Sequence, residues 1–141
     1  MAELLSFDTG LVTYTINGKC EVTFNPTDSA FVMRLYSVFE ELDKKQESYK
    51  AQVEKTANTK EIFDLVSERN DEMRGLIDSV LGDGVSEQVF GTMNVYAIAN
   101  GFPVWANLLL AVMDTIDTAF TREQKATNPR IAKYTAKYKK H

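Results

Sequence analysis

Near the start of the chain apolar and polar residues alternate over two short stretches. Val12, Tyr14 and Ile16 precede Asn17-Gly18, and Cys20, Val22 and Phe24 follow it. Period-two alternation on either side of a turn dipeptide predicts a β-hairpin from Leu11 to Phe24. Asn-Gly favours a two-residue turn, which pairs Ile16 with Lys19 and Tyr14 with Glu21 and sets the two apolar rows on opposite faces of the ribbon. A loop one residue longer pairs Ile16 with Cys20, Tyr14 with Val22 and Val12 with Phe24, and gathers all six side chains on one face. The second register is preferred, because burying a complete face outweighs an ideal turn.

After Phe24 the period changes to that of helices. Asn25-Pro26-Thr27-Asp28 reads as a helix start, with Asn capping and Pro in the first helical position. Phe31, Leu35, Val38, Phe39 and Leu42 then form a core-facing stripe. The pairs Glu40 with Lys44 and Glu41 with Lys45 mark a solvated face. Beyond Leu42 the stripe thins to Tyr49 and Val53, so the second half of this helix is expected to project from the body. Asn58-Thr59-Lys60-Glu61 repeats the capping logic, and Ile62, Phe63, Val66, Met73, Leu76, Ile77 and Val80 line a second helix that Gly82 stops. A short polar break around Ala57 makes the two an antiparallel helical hairpin.

A short helix is expected from Ser86 to near Gly91, and another turn or two between Asn94 and Asn100. Pro103 opens the most apolar helix, where Trp105, Leu108, Leu109, Val112, Met113, Ile116 and Phe120 cover more than one side. This helix is expected at the centre. Asn128-Pro129 is a second Asn-Pro start, followed by Ile131, Tyr134 and Tyr138 among Lys133, Lys137, Lys139 and Lys140. The expected fold is mainly α: an N-terminal β-hairpin packed on about four helices, with a long helical hairpin and a basic C-terminal helix or tail. Its 141 residues suit one domain, over 1–124, with residues 125–141 as an appendage.

Charge changes this picture. The net charge is -4, but residues 125–141 hold six Lys or Arg and no acid. Residues 1–124 therefore hold all 20 acids against ten cations, a net -10. A basic tail is expected to dock on the acidic surface of its own body or of a neighbouring copy, with Arg130, Lys133, Tyr134, Lys137 and Tyr138 as candidate contacts. The acidic body disfavours nucleic acid, which a basic surface would attract. Phe102 and Trp105, on either side of Pro103, are the candidate partner contacts of the body, and for Trp105 the role of a core anchor is preferred. The longest apolar stretch, Val104 to Met113, contains Asn107 and is shorter than the roughly 20 residues that span a bilayer. An acid at Glu3, and no apolar run after it, does not suit a secretory signal, and a single cysteine fits a reducing cytoplasm.

Catalytic chemistry finds little footing. His141 is the only histidine and stands at the end of the chain, and Cys20 alternates inward on a strand as a small hydrophobe. Gly82-Asp83-Gly84 follows a helix and lacks the residues of a phosphate loop, so it reads as a helix stop. A carboxylate metal site would require Asp78, Asp114 and Asp117 to converge. The expectation is a non-catalytic protein without metal or cofactor.

The order of features carries a resemblance: a hairpin around Ile16-Asn17-Gly18-Lys19, then Phe24-Asn25-Pro26-Thr27-Asp28, a charged helical hairpin, and Met73-Arg74-Gly75-Leu76-Ile77-Asp78-Ser79-Val80-Leu81-Gly82. It resembles small proteins of siphophages and prophages of Gram-positive bacteria whose genes lie between those for the tail tube and the tape measure. Phe90-Gly91-Thr92-Met93-Asn94-Val95-Tyr96 and Glu123-Gln124-Lys125-Ala126-Thr127-Asn128-Pro129-Arg130 look like one branch of this group. The resemblance implies a tail assembly chaperone in the host bacterial cytoplasm, which coats the tape measure protein and leaves before the virion matures. It also implies a protein partner and self-association, and it brings no fixed functional residues. The competing reading is a structural head-tail or tail component retained in the virion.

Overall fold

The computed structural model describes the backbone of residues 1–139 and the side chains of residues 1–122. In chain order the elements are β1 (Val12–Ile16), β2 (Cys20–Phe24), α1 (Ser29–Lys55), α2 (Thr59–Leu81), α3 (Val85–Phe90), β3 (Ile98–Ala99), β4 (Phe102–Pro103) and α4 (Val104–Lys139). The protein is mainly helical, with an antiparallel N-terminal hairpin ahead of four helices.

The hairpin takes the longer-loop register: Ile16 pairs with Cys20, Tyr14 with Val22 and Val12 with Phe24. The tight turn survives alongside it. Asn17 and Gly18 both have positive φ, 51° and 67°, and Lys19 N–H donates to Ile16 O at 2.9 Å. Lys19 is then the extra residue of a bulge, so turn chemistry and one-face burial are both satisfied. Cys20, Val22 and Phe24 are buried, Val12, Tyr14 and Ile16 half-buried, and the alternate threonines and Glu21 exposed. The Phe24 ring stacks on Tyr14 at 5.0 Å and on Phe31 at 4.3 Å, which fixes the ribbon to α1.

The first helix starts later than the sequence predicts. Asn25 Oδ1 accepts from the Thr27 N–H and hydroxyl, both at 2.8 Å, and Asp28 N–H donates to Asn25 O, closing a turn. With Asn25 spent on that turn, Asp28 becomes the N-cap and accepts from Ala30 N–H at 3.0 Å. At α2 the expected cap holds, with Asn58 accepting from Lys60 and Glu61 N–H, and Gly82 ends the helix with φ 127°. Two stripe residues depart from expectation. Phe63 lies one position off the row formed by Ile62, Val66, Arg69 and Met73 and is exposed, and Ala119 rather than the exposed Phe120 continues the buried row Leu109, Val112, Ile116.

Between α3 and α4 the expected helical turn is absent. Ile98–Ala99 pairs with Phe102–Pro103 in a second small hairpin, Ile98 opposite Pro103 and Ala99 opposite Phe102. The connection is the two-residue loop Asn100-Gly101, with φ 55° and 83°. This is the tight-turn geometry that Asn-Gly favours.

Trp105, in the first turn of α4, is 1% exposed. Its Nε1 donates to Gln46 Oε1 at 2.6 Å, and its ring meets Phe39 edge-on at 5.3 Å. It is therefore a core anchor and not a partner contact. Ala119 and Arg122, farther along α4, border a cleft with Asn25 and Thr27, so α4 runs back antiparallel to α1. It continues through Asn128-Pro129 with no new start. One proline forfeits one helical hydrogen bond, whereas a break would free four N–H and four C=O groups. The tail side chains Arg130, Lys133, Tyr134, Lys137 and Tyr138 lie outside the described residues.

Emptying the Trp105 site is expected to destabilise the protein by about 3–5 kcal/mol, measured as the urea unfolding free energy of Trp105→Ala. Two glycines should separate conformation from packing, since an added Cβ meets nothing within 4 Å at Gly75 or Gly101. Gly75→Ala, inside α2, is expected to stabilise by about 0.5–1 kcal/mol. Gly101→Ala, at φ 83°, should destabilise by about 1–2 kcal/mol.

Candidate protein-binding surfaces

Along α1 the inward residues follow a seven-residue spacing, Leu35, Leu42 and Tyr49 on one row and Phe39, Gln46 and Val53 on the other. Trp105 covers Phe39 and Gln46, and α4 leads away from there towards the start of α1. The stripe beyond Gln46 is left as the floor of a groove of about 660 Å³. Tyr49, Lys50, Val53 and Glu54 of α1 form one wall and Leu65, Val66 and Arg69 of α2 the other, while Asn94, Tyr96 and Ala97 close one end.

A polar clamp sets the spacing of the two helices here. Glu72 of α2 accepts from Lys45 Nζ of α1 at 2.7 Å and from Arg69 Nη1 at 3.1 Å. The Arg69 guanidinium lies over the Tyr49 ring, 4.5 Å from its centroid, and Nη2 reaches Gln52 Oε1 at 3.4 Å. The Lys45 ammonium, foremost, holds the Glu72 carboxyl well below the usual carboxylate range, at about 2, and Glu72 in turn raises the Lys45 pKa. Among the described residues the Tyr49 and Tyr96 hydroxyls are buried without a hydrogen-bond partner, and burial pushes both phenols up.

The loop that closes the groove is itself fixed to α2. Asn70 Oδ1 accepts from Val95 N–H at 2.8 Å, and Arg74 Nη2 donates to the carbonyls of Gly91 and Met93. On the other side of this loop lies a second groove, of about 370 Å³, with Val89 and Phe90 of α3, Met93, Ala99, and Val104 and Leu108 of α4 among its walls. Its rim includes Lys19, whose ammonium donates to Val89 O at 3.4 Å. Phe102 stands directly across β3–β4 from Ala99, so both side chains share the ribbon face that borders this groove. Phe102 is 54% exposed and Met93, on the wall of this groove, is exposed too; Ile98, opposite Pro103, is exposed on the other face of the ribbon.

Of the two contacts that the sequence suggests in the body, then, Phe102 is accessible and Trp105 is not. Nothing in the sequence pattern distinguishes Met93, Tyr49 or Tyr96 as contacts; the thinning of the α1 stripe after Leu42 is the one sign of an uncovered groove. Asp78 caps α3, accepting from Ser86 N–H at 2.8 Å and Gly84 N–H at 3.2 Å, while Asp114 and Asp117 are exposed. Among the described residues no three His, Cys, Asp or Glu side chains are grouped to hold a metal, and no helix is long and apolar enough to cross a membrane. No family model, curated protein or solved structure matches the chain.

The clamp has a pH signature. Because the Glu72 pKa is lower in the folded chain than its ordinary 4.5, its stabilising contribution is complete above about pH 4.5 and is lost as pH falls towards about 2. Urea midpoints of the wild type and Glu72→Gln are therefore expected to differ most near neutral pH, to draw together below about pH 4.5 and to converge only near pH 2. A gap that stays constant over that range would show that Glu72 does not act through its charge.

Proposed function

We propose that the chain is a non-catalytic, protein-binding assembly factor, and that its role is the one its sequence resemblance implies: a tail assembly chaperone that holds the tape measure protein during tail morphogenesis in a bacterial host. One observation carries the binding part of this reading. Met93 and Phe102 are exposed on a loop that Asn70 and Arg74 hold in place, next to a groove floored by apolar residues of α3 and α4. Clustered apolar side chains on a fixed loop keep a contact surface ready for the apolar stripe of an amphipathic helix. The acidic body supplies the repulsion that keeps a carrier of such a partner soluble. The specific partner rests on the sequence resemblance alone.

Co-expression with the tape measure protein that the resemblance implies tests both parts. Capture of the tape measure by the wild-type chain is expected, and Phe102→Ser with Met93→Ser should weaken it roughly tenfold or more, as for the core of a binding patch. The unfolding midpoint should stay near that of the wild type, since both side chains are exposed. Undiminished capture by the double variant would remove this surface from the mechanism, and no capture by the wild type would remove the partner. Mass spectrometry of purified virions decides against the chaperone in favour of a structural component if the chain is found there.

A further inference from the structure

Residues 1–11 form an arm without regular secondary structure, and its apolar side chains touch little: Leu4 is 96% exposed, Leu5 89% and Phe7 80%. The arm is pinned at its root. Asn25 Nδ2 donates to Thr9 O at 2.9 Å, and Gly10 N–H closes on Asp8 Oδ1 at 2.8 Å. Its origin is thus beside the N-terminal end of α1, while the hairpin groove begins at Gln46 and Tyr49, most of the way to the other end. One end of the molecule has uncovered apolar side chains, and the other has an uncovered apolar groove.

We propose that the arm of one copy lies in the α1–α2 groove of the next copy. The apolar side chains of the chain's own arm fall short of it: Asp28 and Gln46, where the groove begins, are separated by about 27 Å of helix at 1.5 Å per residue, and the segment from Leu4 to Thr9 reaches at most about 18 Å fully extended. Charge selects the arm over the basic C-terminal segment. The groove walls carry Lys50 and Arg69 against Glu54, a local excess of positive charge on an acidic body, and residues 1–11 carry Glu3 and Asp8 and no Lys or Arg. Because donor and acceptor surfaces are different and sit at opposite ends, the contact is heterologous, and it repeats into an open chain of copies instead of closing at a dimer. The groove is separate from the Met93 and Phe102 surface, so this contact stands or falls independently of the proposed partner.

Sedimentation of the full chain is expected to show an average mass that rises with concentration without levelling off at two copies. Deleting residues 1–7, which removes Leu4, Leu5 and Phe7 and leaves the pinned root and the body intact, should give single chains. Val53→Asp, on the groove wall, should do the same, and Leu65→Asp on the opposite wall is the check if Val53→Asp lowers the unfolding midpoint. The decisive sample is a mixture. The arm-deleted chain keeps its groove and the Val53→Asp chain keeps its arm, so together they should form a one-to-one pair that grows no further. Under mild oxidation Leu5→Cys protein mixed with Val53→Cys protein should yield a disulfide-linked heterodimer, and wild type carrying only buried Cys20 should not. The proposal is overturned if arm deletion leaves assembly unchanged, if the complementary mixture stays monomeric, or if assembly is lost on removing residues 125–141 but not on removing the arm.

Discussion

The position of Trp105 decides how the helices share their apolar surface. Its indole fills the space against Phe39 and reaches Gln46 across a sequence separation of 59 residues, which fixes the first turn of α4 at one level of α1. A buried indole that also satisfies its N–H leaves little freedom to slide along the helix, since a one-turn shift would orphan the donor. From that level α4 runs back along the first half of α1, and beyond Gln46 the stripe is met only by Arg69 and the loop of Asn94, Tyr96 and Ala97, which leaves the groove open. The core and the hairpin groove are two parts of one continuous stripe, divided by where one helix begins.

Much of the architecture is legible in the sequence because it depends on short-range chemistry. The N-terminal register follows from counting which pairing buries six apolar residues together, and Asn58 and Gly82 bound α2 through groups within a few residues of each other. The Asn-Gly dipeptide is informative at residues 17 and 18, where alternation flanks it. At residues 100 and 101 it makes a two-residue turn between strands too short to alternate, and the pattern there reads falsely as helix. The start of α1 is ambiguous because two cap-forming residues, Asn25 and Asp28, compete within four positions, and only the folded turn shows that Asn25 is occupied by Thr27.

The candidate surfaces are less legible, for a physical reason. An apolar residue within a periodic stripe looks the same in sequence whether it is fully covered or not, as buried Leu42 and half-buried Val53 show. Phe102 and Trp105, three residues apart, are both candidate contacts, although Trp105 is read first as a core anchor. The small hairpin turns the first outward and the first turn of α4 takes the second into the core. Asp78 shows the same ambiguity in a charged residue, whose carboxylate is fully engaged by the backbone at the start of α3.

The length of α1 sets a scale for anything larger built from this chain. Its 27 residues span about 40 Å, and the arm root and the hairpin groove lie towards opposite ends of that span. In an array joined by arm and groove, successive copies are offset by roughly that distance. A helical partner lying along such an array advances about 27 residues over the same 40 Å. Stoichiometry would then be set by distance and not by a count of binding motifs: the number of copies bound grows in proportion to the length of the partner.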